Sequence, residues 1–214
     1  MDVPDWFAEF LYDWGIYKGN FSGKRVAILG ERLTGKSHLF HFLANGELPA
    51  ATRNTAGMEK LPDATTRMRV DGQRIALERS ADVPGTESFY QAWREGCHNA
   101  DWIIYLLRAD KVMVEDARTL KRIENDIALI SQSIMEREKP PEKVIIIGTH
   151  RDLDVTYRKM ERDAGALYTD EFRNNRFVEK LDCYIPGRPR PVFLTGTLKD
   201  DEGAQLLLNE IGAA

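Results

Sequence analysis

The sequence predicts an α/β fold in three layers: a mostly parallel six-stranded sheet with one antiparallel edge strand, and helices on both faces. Three observations lead there. Short runs that are apolar throughout alternate with stretches of helical periodicity, the pattern of parallel strands buried on both sides and joined by crossover helices. A loop bracketed by glycines, Gly30-Glu31-Arg32-Leu33-Thr34-Gly35-Lys36-Ser37, lies between the first apolar run and the first helix. Asp71-Gly72 separates two further strand-like segments and marks a tight hairpin, the source of the antiparallel pairing.

In chain order, Lys24 to Leu29 forms the first strand, and the helix after the loop runs on through His38-Leu39-Phe40-His41-Phe42-Leu43. Ala44 to Leu61 is irregular and rich in Gly, Pro, Asn and Thr. Thr65 to Val70 and Arg74 to Arg79 flank the hairpin turn, and Glu87 to Asn99 is helical. Trp102 to Leu107 is a buried strand. Glu115 to Glu138 reads as one long helix, because Ala117, Leu120, Ile123, Ile127, Ile130 and Ile134 recur at intervals of three and four. Lys139-Pro140-Pro141 ends it. Val144 to Ile147 is the next strand, 155–181 a polar helical region, Val192-Phe193-Leu194 the last strand, and Ala204 to Ile211 a short final helix. The domain thus spans residues 23–211, behind an extension of residues 1–22.

Composition narrows the class. A chain of 214 residues is most economically one domain with a core of its own. Hydrophobic residues make up 43% and charged residues 30%, a balance that argues against disorder. The net charge of −4 provides no general attraction to nucleic acid or to anionic lipid. Cys97 and Cys183 stand far apart, in no metal-ligand spacing, as expected of reduced structural thiols. No apolar stretch reaches transmembrane length and no signal peptide is evident. Asp2 follows the initiator, and Ile211-Gly212-Ala213-Ala214 has no prenylation cysteine, so lipid anchoring is not expected. The expected location is cytoplasmic.

The loop at 30–37 matches G-x-x-x-x-G-K-[ST], with strand and helix in register on either side. Glycines let successive backbone N–H groups turn inward as an anion nest, and the following helix offers the positive end of its dipole. Gly30, Glu31, Arg32, Leu33, Thr34, Gly35, Lys36, Ser37 and His38 are therefore the candidate phosphate-binding residues. Lys36 reaches the β- and γ-phosphates in this arrangement, and the Ser37 hydroxyl ligates Mg²⁺. A plain glycine-rich turn is the alternative.

With these residues in this order of elements, the chain resembles a Ras-like small GTPase of the wider translation-factor-related P-loop class. The resemblance implies GTP and GDP as ligands, Mg²⁺ as cofactor, and a switch that signals to a protein effector or regulator. Asp82-Val83-Pro84-Gly85 resembles the family's D-x-x-G, whose Asp binds Mg²⁺ through water and whose Gly N–H contacts the γ-phosphate. A carboxylate at a strand end suits a hard cation that keeps most of its waters; an ordinary turn is the alternative. Thr55 corresponds to the threonine that the family's first switch supplies to Mg²⁺, with Thr52 as a competitor. Thr149-His150-Arg151-Asp152 sits where the family carries N-K-x-D. There the Asp accepts the ring N1–H and exocyclic amine of guanine, a donor pair that adenine lacks. Asp152 is the residue expected to select GTP over ATP; capping the next helix is its alternative role. Thr195-Gly196-Thr197 resembles the S-A-K loop, from which a backbone N–H meets the guanine O6.

Two departures bear on turnover. Thr86 stands where Ras-like proteins carry the glutamine that orients the attacking water, and threonine has no amide for that task. Arg32 replaces a glycine inside the loop; it points to solvent, obstructs an incoming arginine, or lies over the phosphates in cis, in that order of expectation. Slow hydrolysis follows, with a pseudo-GTPase scaffold as the rival reading. An ATP-using P-loop kinase conflicts with Asp152.

The extension reads as an amphipathic helix whose Trp6, Phe10 and Trp14 fall four apart. Docking on the protein's own domain is the leading expectation, then binding a protein partner through aromatic anchors. Membrane contact comes last, because Asp2, Asp5, Glu9 and Asp13 are repelled by anionic lipid. The charges of 155–190 are mixed in sign and read as solvated surface.

Overall fold

The computed structural model describes residues 25–49, 59–60, 66–70, 73–77, 81–82, 87–160, 165–185, 187 and 189–214. Its strands are β1 (Val26–Gly30), β2 (Glu59–Lys60), β3 (Thr66–Val70), β4 (Gln73–Leu77), β5 (Ala81–Asp82), β6 (Trp102–Arg108), β7 (Lys143–Thr149) and β8 (Val192–Thr195). Its helices are α1 (Lys36–Asn45), α2 (Tyr90–Asn99), α3 (Ala109–Met113), α4 (Ala117–Met135), α5 (Val155–Lys159), α6 (Gly165–Arg173), α7 (Arg176–Tyr184) and α8 (Asp201–Ala213). The aromatic extension at 1–22 lies outside the described residues.

The main sheet is ordered β2-β5-β1-β6-β7-β8. β5, β1, β6, β7 and β8 pair in parallel, and β2 meets β5 antiparallel through Glu59↔Asp82 and Lys60↔Ala81. The long members are the four parallel strands β1, β6, β7 and β8; β5 and β2 contribute two residues each. Here the expectation is corrected. The hairpin does form about residues 71–72, with Val70↔Gln73 as its last pair, but β3 and β4 make a separate two-stranded ladder. Among the described residues β3 and β4 pair only with each other, and the antiparallel edge of the main sheet is β2. Arg67, Arg69 and Arg74 alternate with apolar residues in these segments, whereas a strand inside a parallel sheet has to be apolar on both faces.

β1, β6 and β7 meet that requirement, with nearly every residue buried. Alternate side chains leave a strand on opposite faces. Ala27, Leu29, Ile103, Leu107, Val144 and Ile146 go to one face, under α2, α4, α6 and α7. Val26, Ile28, Ile104, Leu106, Ile145 and Ile147 go to the other, under α1 and α8. Each such side chain contributes about 1.5–3 kcal/mol on leaving water, so the two layers are the main source of stability. Burial pushes the Cys97 thiol up to about 12, which leaves it an inert core residue.

Helix ends follow local chemistry. Asp116 accepts from Thr119 N–H at 2.8 Å and starts α4, two residues later than the apolar spacing suggested. The polar region after β7 is three helices rather than one, with Asp154 capping α5 and Asn175 capping α7. No helix among the described residues is long and apolar enough to cross a membrane.

One ion cluster is buried under α4. Asp126, fully buried, accepts from Tyr90 Oη at 2.6 Å, Tyr105 Oη at 2.9 Å and Arg122 Nε at 2.7 Å. Arg122 also lies 5.2 Å from the Tyr90 ring centre and 6.0 Å from that of Trp93. Burial pushes the Asp126 carboxyl up, and the hydrogen bonds and Arg122 pull it back down. The cluster ties the first residue of α2 to α4 and β6. Replacing Asp126 with alanine strands the Tyr105 hydroxyl and Arg122 together. The expected cost is about 3 kcal/mol or more, read as a lowered denaturation midpoint.

Candidate functional site

Three parallel strands end side by side, and the loops leaving their carboxyl ends carry the candidate residues. Gly30 closes β1 at φ +143°, and a Cβ there would land on the Leu106 carbonyl oxygen. No other residue fits so near the neighbouring strand. The chain then passes Glu31, half-buried, and Arg32, exposed. Leu33 is 65% exposed and held at φ +62°, an uncommon conformation for a branched side chain. Gly35, at φ +90°, precedes α1, and a Cβ there would lie 2.8 Å from Leu198 Cδ1.

The start of α1 has the make-up of an anion site. No side chain caps it, and its first turn has no acidic residue, so its backbone N–H groups and dipole are offered outward. Lys36 is folded back, 6% exposed, its Nζ donating to Glu31 O at 2.8 Å. Thr34 Oγ1 donates to the same carbonyl at 2.8 Å. These bonds curl the loop around its own lysine. Ser37 and His38 follow, both partly buried; burial lowers the His38 pKa, and neighbouring His41 adds to the effect.

The base loop is tied to the phosphate loop by one hydroxyl. Thr149, fully buried at the end of β7, stands 2.9 Å from Thr34 O and 3.0 Å from Leu107 O. Threonine in the place of the family's asparagine thus still bridges the two loops. Thr149 Oγ1 is also 2.9 Å from His150 Nδ1. A hydroxyl has one proton, so Thr149 Oγ1 donates to one of these three partners at a time and can accept from Nδ1–H. His150 adopts φ +60°, and its pKa is lowered first by burial and then by Arg108.

Asp152 lies in a short 3₁₀ turn, Arg151–Leu153, half-buried. Thr197 Oγ1 donates to its Oδ1 at 3.0 Å and so orients the carboxylate. Arg151 is buried beneath, donating from Nη1 to Thr195 O at 3.0 Å with its guanidinium 5.2 Å from the Tyr157 ring centre. Thr195 and Gly196 are engaged inside the fold. Thr195 Oγ1 is 2.6 Å from Thr169 Oγ1, and Gly196 N–H donates to Gly148 O at 3.0 Å. Thr197 is the member of this trio that reaches Asp152.

Sequence reasoning missed the pair at the end of β6. Arg108 donates from Nε and Nη2 to the two oxygens of Asp110, at 2.7 and 2.6 Å. These bonds hold the guanidinium firmly protonated, and Asp152 and Glu31 act in the same sense. An arginine ending an apolar strand beside the base loop was the available signal. Asp82 is described through its backbone, which is level with Ile28 of β1. Thr55, Gly85 and Thr86 lie outside the described residues.

A model of the Ras family matches residues 25–181. A solved structure titled "The Structure of the Mammalian SRP Receptor" is similar to this chain, with a TM-score of 0.58 at 15% sequence identity. The likeness covers 88% of this chain and 100% of that one, and it speaks for the fold. Comparison with curated proteins finds no match.

Two outcomes follow from this geometry. Thr149→Val removes the buried hydroxyl that donates its one proton to Thr34 O or Leu107 O. It should cost about 1–3 kcal/mol in denaturant titrations. For His150, the folded pKa is lower than the unfolded one, so the unfolded chain takes up the proton first as pH falls. The stability involved is complete above about pH 6.5 and is lost on acidification through the folded pKa. Melting temperatures from pH 7.5 down to 5 should therefore fall less steeply in His150→Asn than in the parent.

Proposed function

We propose, from the premise that this chain belongs to the Ras family, that it is a guanine-nucleotide-binding switch that hydrolyses GTP slowly. The observation that carries this is the bridge from Thr149 to Thr34 O. It couples an uncapped helix start, with Lys36 behind it, to a loop that presents Asp152 as an oriented acceptor.

Phosphates enter at the start of α1, where Gly35 and the following N–H groups face outward and Lys36 exchanges Glu31 O for phosphate oxygen. The donor set suits a nucleoside phosphate with its metal: a lysine, a hydroxyl at Ser37, and the strand end at Asp82. Ser37, Thr55 and Asp82 would hold Mg²⁺, which when bound neutralises phosphate charge. At the other end, Asp152 accepts both guanine donors while Thr197 fixes one of its oxygens. Gly196 N–H already donates to Gly148 O, so the guanine O6 would take another backbone N–H of the Thr195-Gly196-Thr197 loop.

Gly85 N–H and Thr55 sense the γ-phosphate, so its loss releases both switch loops to a protein effector or regulator. The nucleophile is water. Thr86 holds it poorly, and Arg32, exposed in the loop, is not committed to the phosphates. The pseudo-GTPase reading draws on Thr86, Arg32 and His150, and makes the chain a scaffold that holds nucleotide, or only partners, without useful hydrolysis.

Fluorescent GDP and GTP titrations, with and without Mg²⁺, test the reading. Both nucleotides should bind at least about a hundredfold tighter than ATP, since adenine leaves a buried acceptor unpaired. Asp152→Asn should lose guanine nucleotide and gain xanthine nucleotide, whose 2-oxo group accepts from the new amide. Equal affinity for ATP refutes the base assignment. Single-turnover hydrolysis should run on the order of 10⁻⁴ s⁻¹ or slower; none at all favours the scaffold, and rates of several per second sink the slow switch.

A further inference from the structure

The base loop lacks a cation where the family pattern has one. His150 occupies the lysine position, and its ring is tied to Thr149 through Nδ1 and held toward the neutral form. The cations nearby are engaged in other ways. Lys36 serves Glu31 O in the phosphate loop, and Arg151 is buried against Thr195 O and Tyr157. Arg158, exposed on α5, donates to the carbonyl of Asp152 from the solvent side.

Arg108 is engaged as well, by Asp110, but it stands at the strand end next to the loop that carries His150. It is the last residue of β6, level with Thr149 in the parallel register. Its two bonds to Asp110 fix the guanidinium as a rigid fork, and the side chains are only 22% and 11% exposed. We propose that Arg108, braced by Asp110, is the base-side cation of the nucleotide site, acting from the end of β6 in place of the lysine that His150 displaces. The proposal rests on the guanine-nucleotide reading above.

The electrostatics are consistent. Glu31, Asp110 and Asp152 all favour the charged guanidinium, so this one cation is shared among acids of the phosphate loop, the β6 end and the base loop. Remove it, and the acids repel one another and an incoming anionic ligand. Arg108 in turn disfavours a proton on His150. A lysine at 150 and an arginine at 108 are therefore rivals for one place. Either can supply the charge, and both together repel.

That rivalry makes the test specific. The full chain is titrated with methylanthraniloyl-GDP in Mg²⁺, and melting temperature is followed alongside. Arg108→Met should weaken binding tenfold or more. Arg108→Gln, which retains a hydrogen bond to Asp110 without the charge, should lose as much. His150→Lys should gain nothing alone but restore most of the affinity when added to Arg108→Met. Arg158→Met should stay within twofold of the parent. The inference is overturned if Arg108→Gln binds within twofold of the parent, or if the double variant binds no tighter than Arg108→Met. It is overturned too if Arg158→Met carries the loss. A parent chain that binds no guanine nucleotide refutes the underlying reading, and the inference falls with it.

Discussion

Burial of β1, β6 and β7 on both faces is the constraint from which the rest follows. Strands apolar on each side need a helical layer above and below, and parallel neighbours need crossovers that return to the same end. β5, β1, β6, β7 and β8 therefore finish at the same edge, and the loops that leave that edge are brought together without further instruction. Arg108 and Thr149 end β6 and β7 level with each other, and Gly30 ends the adjacent β1 level with Leu106. The site is built from what those strand ends carry.

At that edge the energetics change from apolar burial to polar bookkeeping. Carbonyls of the phosphate loop and of β6 turn inward, where each must find a donor. Thr149 meets two of them, Thr34 O and Leu107 O, and so joins loops 115 residues apart in sequence. Thr197 and Arg151 do the same for the base loop and β8. Polar side chains act here as cross-links between the loops at the strand ends. The Asp126 cluster plays a comparable part at the head of α2, holding it to α4.

Charge distribution distinguishes this site from the pattern it resembles. The phosphate loop has an acid at Glu31 and the β6 end another at Asp110, so the region is richer in carboxylates than phosphate binding alone would favour. Lys36 and Arg108 offset them from opposite sides. A histidine between these groups stays neutral because burial and a neighbouring guanidinium both act against its proton.

The amino-acid sequence by itself determined the long parallel strands and their two-sided burial, and it singled out the loop at 30–37 and Asp152 as candidates, because each rests on local spacing and on residue types with one physical use. The short β2 falls in a stretch that reads as irregular. The sequence also pointed to the hairpin, through Asp71-Gly72. Tertiary structure decided the rest. Among the described residues, it paired β3 and β4 with each other and left β2 as the antiparallel edge of the main sheet. It divided the stretch after β7 into three helices at caps that periodicity does not reveal. It engaged Gly196 N–H in the sheet and turned Thr197 to Asp152, and it brought Arg108 beside His150. These are contacts between residues tens of positions apart, and a sequence pattern holds no record of which buried hydrogen-bonding groups such residues will share.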